Sequence, residues 1–379
     1  MCSLALSAAA FLALDYARTT HIYLTANSGP KSVNCRVPDS IRHHAFRPNC
    51  ASTDRWGSDP YQFYTNNLGF RDDHIRTVPL TDSKPRILVL GDSFTEGKVP
   101  WNDSYVGQIA ARFPQYDFLN GGIASYSPSN YFNVARMVLN AGYDIDEVIV
   151  FIDISDVSDE AAFYRDVDNS GAVTGPLSQH PADTTYSKLR QFTARHVLLT
   201  NAIIQFFEKK LVDHGFFHLN DSRYGDEFDM ELSAWTYRKV NEKLACPAGY
   251  APLGAEGGIA KEKAKMTRLW QELQARNIPI SVVVYPWPAQ ILHDSVDSRQ
   301  VLIWRDWCEG KCKRFVSLFP QFLALKQKCP AGEPGCWYLT YFIFGDNHYN
   351  AAGNAVVADA VVQSLSQAPP GKRGRQTIR

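Results

Sequence analysis

A serine near the first quarter of the chain and an Asp-x-His pair near its end are the residues best suited to covalent chemistry. "ILVLGDSFTEG" runs from Ile87 to Gly97 and brings four apolar residues to Gly91, Asp92 and Ser93. "GDNHYNAAGN" carries Asp346 and His348. A serine hydroxyl is a poor nucleophile near neutral pH until a base takes its proton, and that base needs an acid to orient it. An Asp-x-His turn supplies both from one short loop. Ser93 alone reads equally as a helix cap, and Asp-x-His alone is a weak signal. Together they point to Ser93 as nucleophile, His348 as base and Asp346 as orienting acid. Two rival readings of the serine stretch fail. A phosphate-binding loop needs four residues between its glycines and a Ser or Thr after its Lys, whereas here Val99 follows Lys98 and five residues separate Gly91 from Gly97. A G-x-S-x-G elbow needs glycine where Thr95 stands.

These groups must be carried by elements that bring the two ends of the chain together. Arg86–Leu90 reads as a short buried strand, Asp103–Phe113 as a helix capped by Asp103, and Tyr116–Leu119 as a second strand. Ser129–Leu139 reads as a helix and Glu147–Ile152 as a third strand of the buried type. Strands alternating with helices imply parallel βαβ units and a three-layer α/β domain, spanning 85–365. Ligands in such sheets sit outside the C-terminal strand ends, where Ser93 falls. If a helix starts near Ser93, its free N–H groups favour a developing anion.

The alternation breaks after Asp156. Residues 157–277 are expected to form a mostly helical insertion, a cap beside that sheet edge. It includes helical stretches over Thr184–Asp213 and Met230–Leu244 and a charged amphipathic helix over Ile259–Arg276. A strand over 278–285, helical stretches near 298–307 and 318–327, a strand over 337–344 and a final helix over 351–365 complete the reading. Residues 1–84 form an N-terminal segment. From 15 onward it looks irregular, but Trp56, Tyr61, Phe63, Tyr64 and Phe70 argue that it packs. Residues 366–379 are expected to be a disordered tail.

The motifs resemble those of the SGNH/GDSL hydrolase superfamily of serine esterases and acyltransferases, which are built on a flavodoxin-like parallel sheet. The block G-D-S-x-T-x-G is matched from Gly91 to Gly97, and D-x-H-x-N-x-x-G by Asp346, His348, Asn350 and Gly353. The middle blocks depart from the pattern. "NGGIASYS" keeps Asn120 but places Ser125 where a glycine donates its N–H to the oxyanion. Asp153-Ile154-Ser155-Asp156 puts Ser155 in place of a donating asparagine. The resemblance implies an oxyanion hole from the N–H groups of Ser93 and Ser125 with the Ser155 hydroxyl, Asn130 being a candidate substitute. Losing one donor costs on the order of 100–1,000-fold in rate. The resemblance covers roughly 85–157 and 278–365, with "NNLGFRD" (66–72) similar to a segment that precedes the first strand in bacterial relatives.

The expected activity is removal of short acyl groups from an acylated small molecule or glycan. Transfer of an acyl group to polysaccharide and inactive glycan binding are the alternatives. Tyr126, Trp287 and Tyr349 are candidate stacking surfaces for a sugar, against a core-packing role for each. Lys+Arg and Asp+Glu both number 39, and this zero formal charge argues against nucleic acid as a partner.

No metal or organic cofactor is implied. Cys308, Cys312, Cys329 and Cys336 fit zinc spacing poorly, and adjacent histidines such as His43 and His44 rarely chelate one ion with good geometry, so a structural or surface role is expected for them. The eight cysteines instead suggest disulfides and an exported protein, periplasmic or membrane-anchored. The apolar start "MCSLALSAAAFLAL" reads either as a buried first helix or as a signal anchor, although it is shorter than the roughly 20 residues a bilayer needs.

Overall fold

A computed structural model describes residues 2–26, 35–56, 60–168, 171–175, 192–193, 196–213, 230–237, 248–330 and 335–372. The N-terminal segment is not irregular. After a helix over Cys2–Ala26 it forms β1 (Arg36–Asp39), β2 (His43–Phe46), β3 (Ala51–Arg55), β4 (Pro60–Thr65) and β5 (Arg71–Asp72). Then come β6 (Arg86–Leu90), β7 (Asp117–Asn120), β8 (Glu147–Ile152), β9 (Arg165–Asp166), β10 (Val173–Thr174), β11 (Ile280–Val284) and β12 (Cys312–Ser317).

Eight strands form one sheet in the order β12-β11-β8-β6-β7-β5-β4-β3. The pairs β12–β11, β11–β8, β8–β6 and β6–β7 are parallel. Counted in chain order among themselves, these five strands run 2-1-3-4-5, a doubly wound sheet whose switch point lies between β6 and β8. The expected all-parallel sheet is corrected on one side: β5, β4 and β3 add antiparallel strands beyond β7. They cover an edge that would otherwise expose unpaired backbone groups.

Period-two alternation divides the core between the two faces of the sheet. Ile87, Val89, Ile149, Phe151 and Val283 pack under the helices Tyr105–Arg112 and Ala351–Gln367. Leu88, Leu90, Val148, Val150 and Val282 pack under Pro128–Asn140, Gly254–Gln274 and Arg299–Cys308. Gly254–Gln274 is therefore a layer helix rather than part of a cap. Met266, Leu269 and Leu273, on one helical stripe, are fully buried against the sheet. Met230–Tyr237 and Leu198–Asp213 are helical, whereas 184–191 and 238–244 lie outside the described residues.

Other boundaries also differ. Ser104, not Asp103, caps the helix Tyr105–Arg112, its side chain accepting from Gly107 N–H. β12 lies between the two expected helical stretches, where no element is expected from the sequence. The segment 337–344, rich in strand-favouring residues, is the short helix Cys336–Tyr341 instead, because it buries Trp337 and Tyr338 side by side in the core. The first part of the supposed tail is held: Ala368 and Pro369 carbonyls accept from Arg314 and Lys313, and Lys372 reaches Asp146. Residues 373–379 lie outside the described residues.

Disulfides join Cys35 to Cys50, Cys308 to Cys312 and Cys329 to Cys336. Among the described residues no helix is long and apolar enough to cross a membrane. The first helix instead contacts Leu198–Asp213. Its Asp15 carboxylate accepts from the Leu199 and Thr200 N–H groups and so caps that helix.

Candidate active site

β6 ends at Leu90, and through Gly91 and Asp92 the chain turns at once into a short helix, Ser93–Glu96. The turn is tight enough to require glycine: a Cβ on Gly91 would lie 1.9 Å from Thr95 Oγ1. Asp92 caps the helix, its Oδ1 accepting from Phe94 N–H at 2.9 Å and from the Tyr285 hydroxyl at 2.9 Å. Burial, and after it the neighbouring Asp153 carboxylate, push the Asp92 carboxyl well above the usual range. Ser93 thus begins a helix without capping it, and its hydroxyl lies 3.3 Å from Asp92 Oδ2, a longer contact than the one it makes across the site.

The other half of the site comes from the chain's last turn. Tyr338, fully buried, places its hydroxyl inside the 343–346 loop, where it accepts from Gly345 and Asp346 N–H groups and donates to the Asp346 carbonyl. Asn350 caps the final helix by accepting from Ala352 and Gly353 N–H groups. A Cβ on Gly353 would meet the Tyr341 carbonyl at 2.1 Å, so the close approach there needs glycine. Asn350 and Gly353 therefore build the turn that presents His348.

The two halves meet. His348 Nε2 lies 2.7 Å from Ser93 Oγ across 255 positions of sequence. His348 Nδ1 is 2.5 Å from Asp346 Oδ1, which also accepts the His348 backbone N–H at 2.9 Å. With Nδ1–H given to the carboxylate, Nε2 is the free base facing the hydroxyl. The imidazole stacks on Phe94 with ring centroids 4.5 Å apart. Burial alone would raise the Asp346 carboxyl, but the charge of His348, its hydrogen bonds and one from Trp56 hold it below the usual range.

Beside the serine runs the loop 121–125. Ile123 N–H donates to the Gly91 carbonyl and Ala124 N–H to Glu96 Oε2. Ser125 has φ +62°, the left-handed region that favours glycine, which is the residue the resemblance expected there. Neither Ser93 N–H nor Ser125 N–H has an acceptor among the described residues. Ser155 starts the short helix after β8, and both its N–H and its hydroxyl donate to Asp153 Oδ1, at 2.8 and 2.7 Å. Its hydroxyl is thus committed inward. Asn130 is likewise engaged, donating to the Arg42 carbonyl at 2.7 Å.

The three aromatic candidates are core residues. Tyr126, Trp287 and Tyr349 are 0, 5 and 2% exposed. Their polar atoms are used inside: on the His44 carbonyl, on Asp153 Oδ2 and on the Pro286 carbonyl. Trp56, at 40% exposed, is the aromatic that stands open beside the site, its ring edge-on to His348 at 5.3 Å. Its sequence signal was only that of a packing aromatic. His43 and His44 face one another, Nδ1 to Nδ1 at 2.9 Å, and His44 Nε2 lies 2.8 Å from the Ala124 carbonyl. They brace the loop before Ser125. Of the described residues, only Asp72, Asp73 and His74 group closely enough to hold a metal, at a partly exposed turn on the far antiparallel strands.

A second charged cluster surrounds Glu96. Its carboxylate takes Lys98 at 2.7 Å, the Arg36 guanidinium and Ala124 N–H. Burial opposes its charge, but Arg36 and Lys98 outweigh burial and hold it far below the usual range.

No family model matches the chain. No curated protein matches it either. Solved structures share part of its path. A GDSL-like lipase from Bacteroides thetaiotaomicron is 10% identical over 77% of this chain and 93% of its own, with a TM-score of 0.37. A catalytic mutant of an acetylxylan esterase from Geobacillus stearothermophilus is 13% identical over 78% and 100%, with a TM-score of 0.39. A psychrotrophic esterase from a Pseudoalteromonas species is 10% identical over 75% and 98%, with a TM-score of 0.35. At TM-scores this low the likeness has no bearing on activity.

Proposed function

We propose that the protein is a serine ester hydrolase acting on short acyl groups, of the kind its first and last motif blocks resemble. The observation that supports this above others is the continuous relay from Ser93 Oγ through His348 to Asp346, at 2.7 and 2.5 Å. Ser93 Oγ attacks the acyl carbon and its proton passes to His348 Nε2. The carbonyl oxygen becomes an oxyanion received by the Ser93 and Ser125 N–H groups. The intermediate collapses to an acyl-serine, and the alcohol leaves with the proton from His348. Water, deprotonated by the same imidazole, then attacks the acyl-serine, and the acid leaves as Ser93 recovers its proton. Asp346 keeps its negative charge throughout and stabilises the imidazolium. An acylated glycan is the substrate class to try first, since Trp56 is a partly exposed aromatic beside His348.

The test is a fluorophosphonate probe with mapping of the labelled residue, alongside turnover of p-nitrophenyl acetate. Labelling at Ser93 and turnover, both abolished by Ser93→Ala, are the expected results. Turnover that survives Ser93→Ala overturns the mechanism. Labelling without turnover in water, but with acyl transfer to a glycan, shifts the reading to a transferase.

A further inference from the structure

Trp56 lies at the end of β3, 290 positions before Asp346, yet its indole Nε1–H donates to Asp346 Oδ2 at 2.6 Å. Asp346 Oδ1 is filled by the two His348 donors, so Oδ2 is the oxygen left to fix the carboxylate's rotation. The indole is itself held. Lys98 Nζ sits 4.7 Å from the centre of its ring, and Lys98 is anchored by Glu96 of the nucleophile-bearing helix. A cation over an indole draws electron density from the ring and strengthens its N–H as a donor. The contacts run in one chain, from Glu96 to Lys98, Trp56, Asp346 and His348, and that chain closes on Ser93.

We propose that Trp56 is a positioning residue for the Asp346–His348 pair, so that the antiparallel β3–β4 hairpin completes the site. This rests on the relay described above, but its test does not require turnover. An indole that merely packed at a rim would leave its N–H to solvent. This one spends it on the acid of the relay, a charge-assisted bond of the stronger kind.

The experiment compares Trp56→Phe, which keeps the ring and its contact with Lys98 but removes the N–H, with Trp56→His, which restores a ring N–H donor. The primary readout is the proton resonance of the His348 Nδ1–H···Asp346 hydrogen bond by NMR in the free protein. With one donor fewer on Oδ2, the carboxylate pulls harder on the Nδ1 proton, and this resonance moves downfield in Trp56→Phe. It returns toward the wild-type position in Trp56→His. The second readout is the rate of fluorophosphonate labelling of Ser93. Trp56→Phe should lower it by about tenfold to a hundredfold, the range for a lost bond to a charged group.

An unchanged Nδ1–H resonance in Trp56→Phe overturns the proposal, whatever the labelling rate. Equal losses in both variants without a shift of that resonance reduce Trp56 to packing and also overturn it. A shifted resonance in a protein whose Ser93 is never labelled supports the positioning role and removes the hydrolase reading instead.

Discussion

The Ser155 hydroxyl donates to Asp153 Oδ1 over 2.7 Å, and Asp153 Oδ2 in turn accepts the Trp287 indole N–H at 2.7 Å. The hydroxyl that the motif pattern would aim at an oxyanion is turned back into the protein. Ser155→Ala should therefore change the rate of Ser93 labelling less than threefold, well short of the roughly 100-fold or greater cost of deleting a true oxyanion donor. Ser155→Asn, whose amide reaches further, should raise turnover of a short ester. A large loss in Ser155→Ala would show that the hydroxyl swings to the oxyanion during reaction.

His44 gives stability a pH dependence of defined sign. Burial, followed by smaller effects including the neighbouring His43, lowers its pKa from 6.5 to about 4. The geometry agrees: with Nε2–H given to the Ala124 carbonyl, Nδ1 must stay bare to accept from His43. In the unfolded chain His44 takes up a proton near 6.5, in the folded protein only near 4. The unfolded state thus binds more protons in that window, and stability contributed by neutral His44 is lost as pH falls through it. The melting temperature should drop more steeply from pH 6.5 to pH 4 in the wild type than in His44→Asn. Parallel slopes would contradict this.

The disulfide between Cys35 and Cys50 closes a 15-residue span that contains β1 and β2, and with them Arg36 and His44. A cross-link over about 15 residues is worth about 3 kcal/mol by loop-closure entropy. Cys35→Ser should lower the melting temperature by several degrees and weaken the Arg36 contact with Glu96. Alkylation of the native, unreduced protein should leave the six cysteines of the three disulfides unmodified. Eight reactive thiols would remove both the cross-links and the argument they give for an oxidising, exported setting.

What was legible in the sequence follows from what is local. Ser93, Asp346 and His348 were readable because a strand end and a short turn fix their residue types. The doubly wound core was readable because β6, β8 and β11 are each dominated by apolar residues. β12 was not, since "CKRFVS" is an edge strand whose Lys313 and Arg314 pair with Glu147 and, from Arg314, with the Ala368 carbonyl. The helix at Cys336–Tyr341 was misread because its aromatics favour strands locally, and only tertiary packing decides otherwise. Trp56 carried the signal of a packing aromatic and nothing more: its role depends on a hairpin folding back across nearly the whole chain. The buried Tyr126, Trp287 and Tyr349 fail as stacking surfaces for the converse reason, since position near a strand end does not reveal which way a ring points.

The segment "NNLGFRD" acquires a physical meaning through Arg71. Asn66 Oδ1 accepts from Leu68 and Phe70 N–H groups to shape the turn, and Gly69, at φ +72°, passes so close to β2 that a Cβ would lie 2.4 Å from the Phe46 carbonyl. This delivers Arg71, fully buried, to the turn after the nucleophile helix, where its guanidinium donates to the carbonyls of Glu96, Gly97 and Val99. The planar fork spans three carbonyls that a lysine ammonium cannot reach together. Arg71→Lys should destabilise the protein by about 2 kcal/mol, the scale of a lost charged hydrogen bond. At a temperature where the variant remains folded, Ser93 labelling should fall roughly tenfold, because displacement of the helix by a fraction of an ångström misplaces the nucleophile. Circular dichroism establishes the folded state and probe kinetics give the rate. A folded Arg71→Lys protein labelled at the wild-type rate would mean that the turn holds Ser93 in place without this side chain.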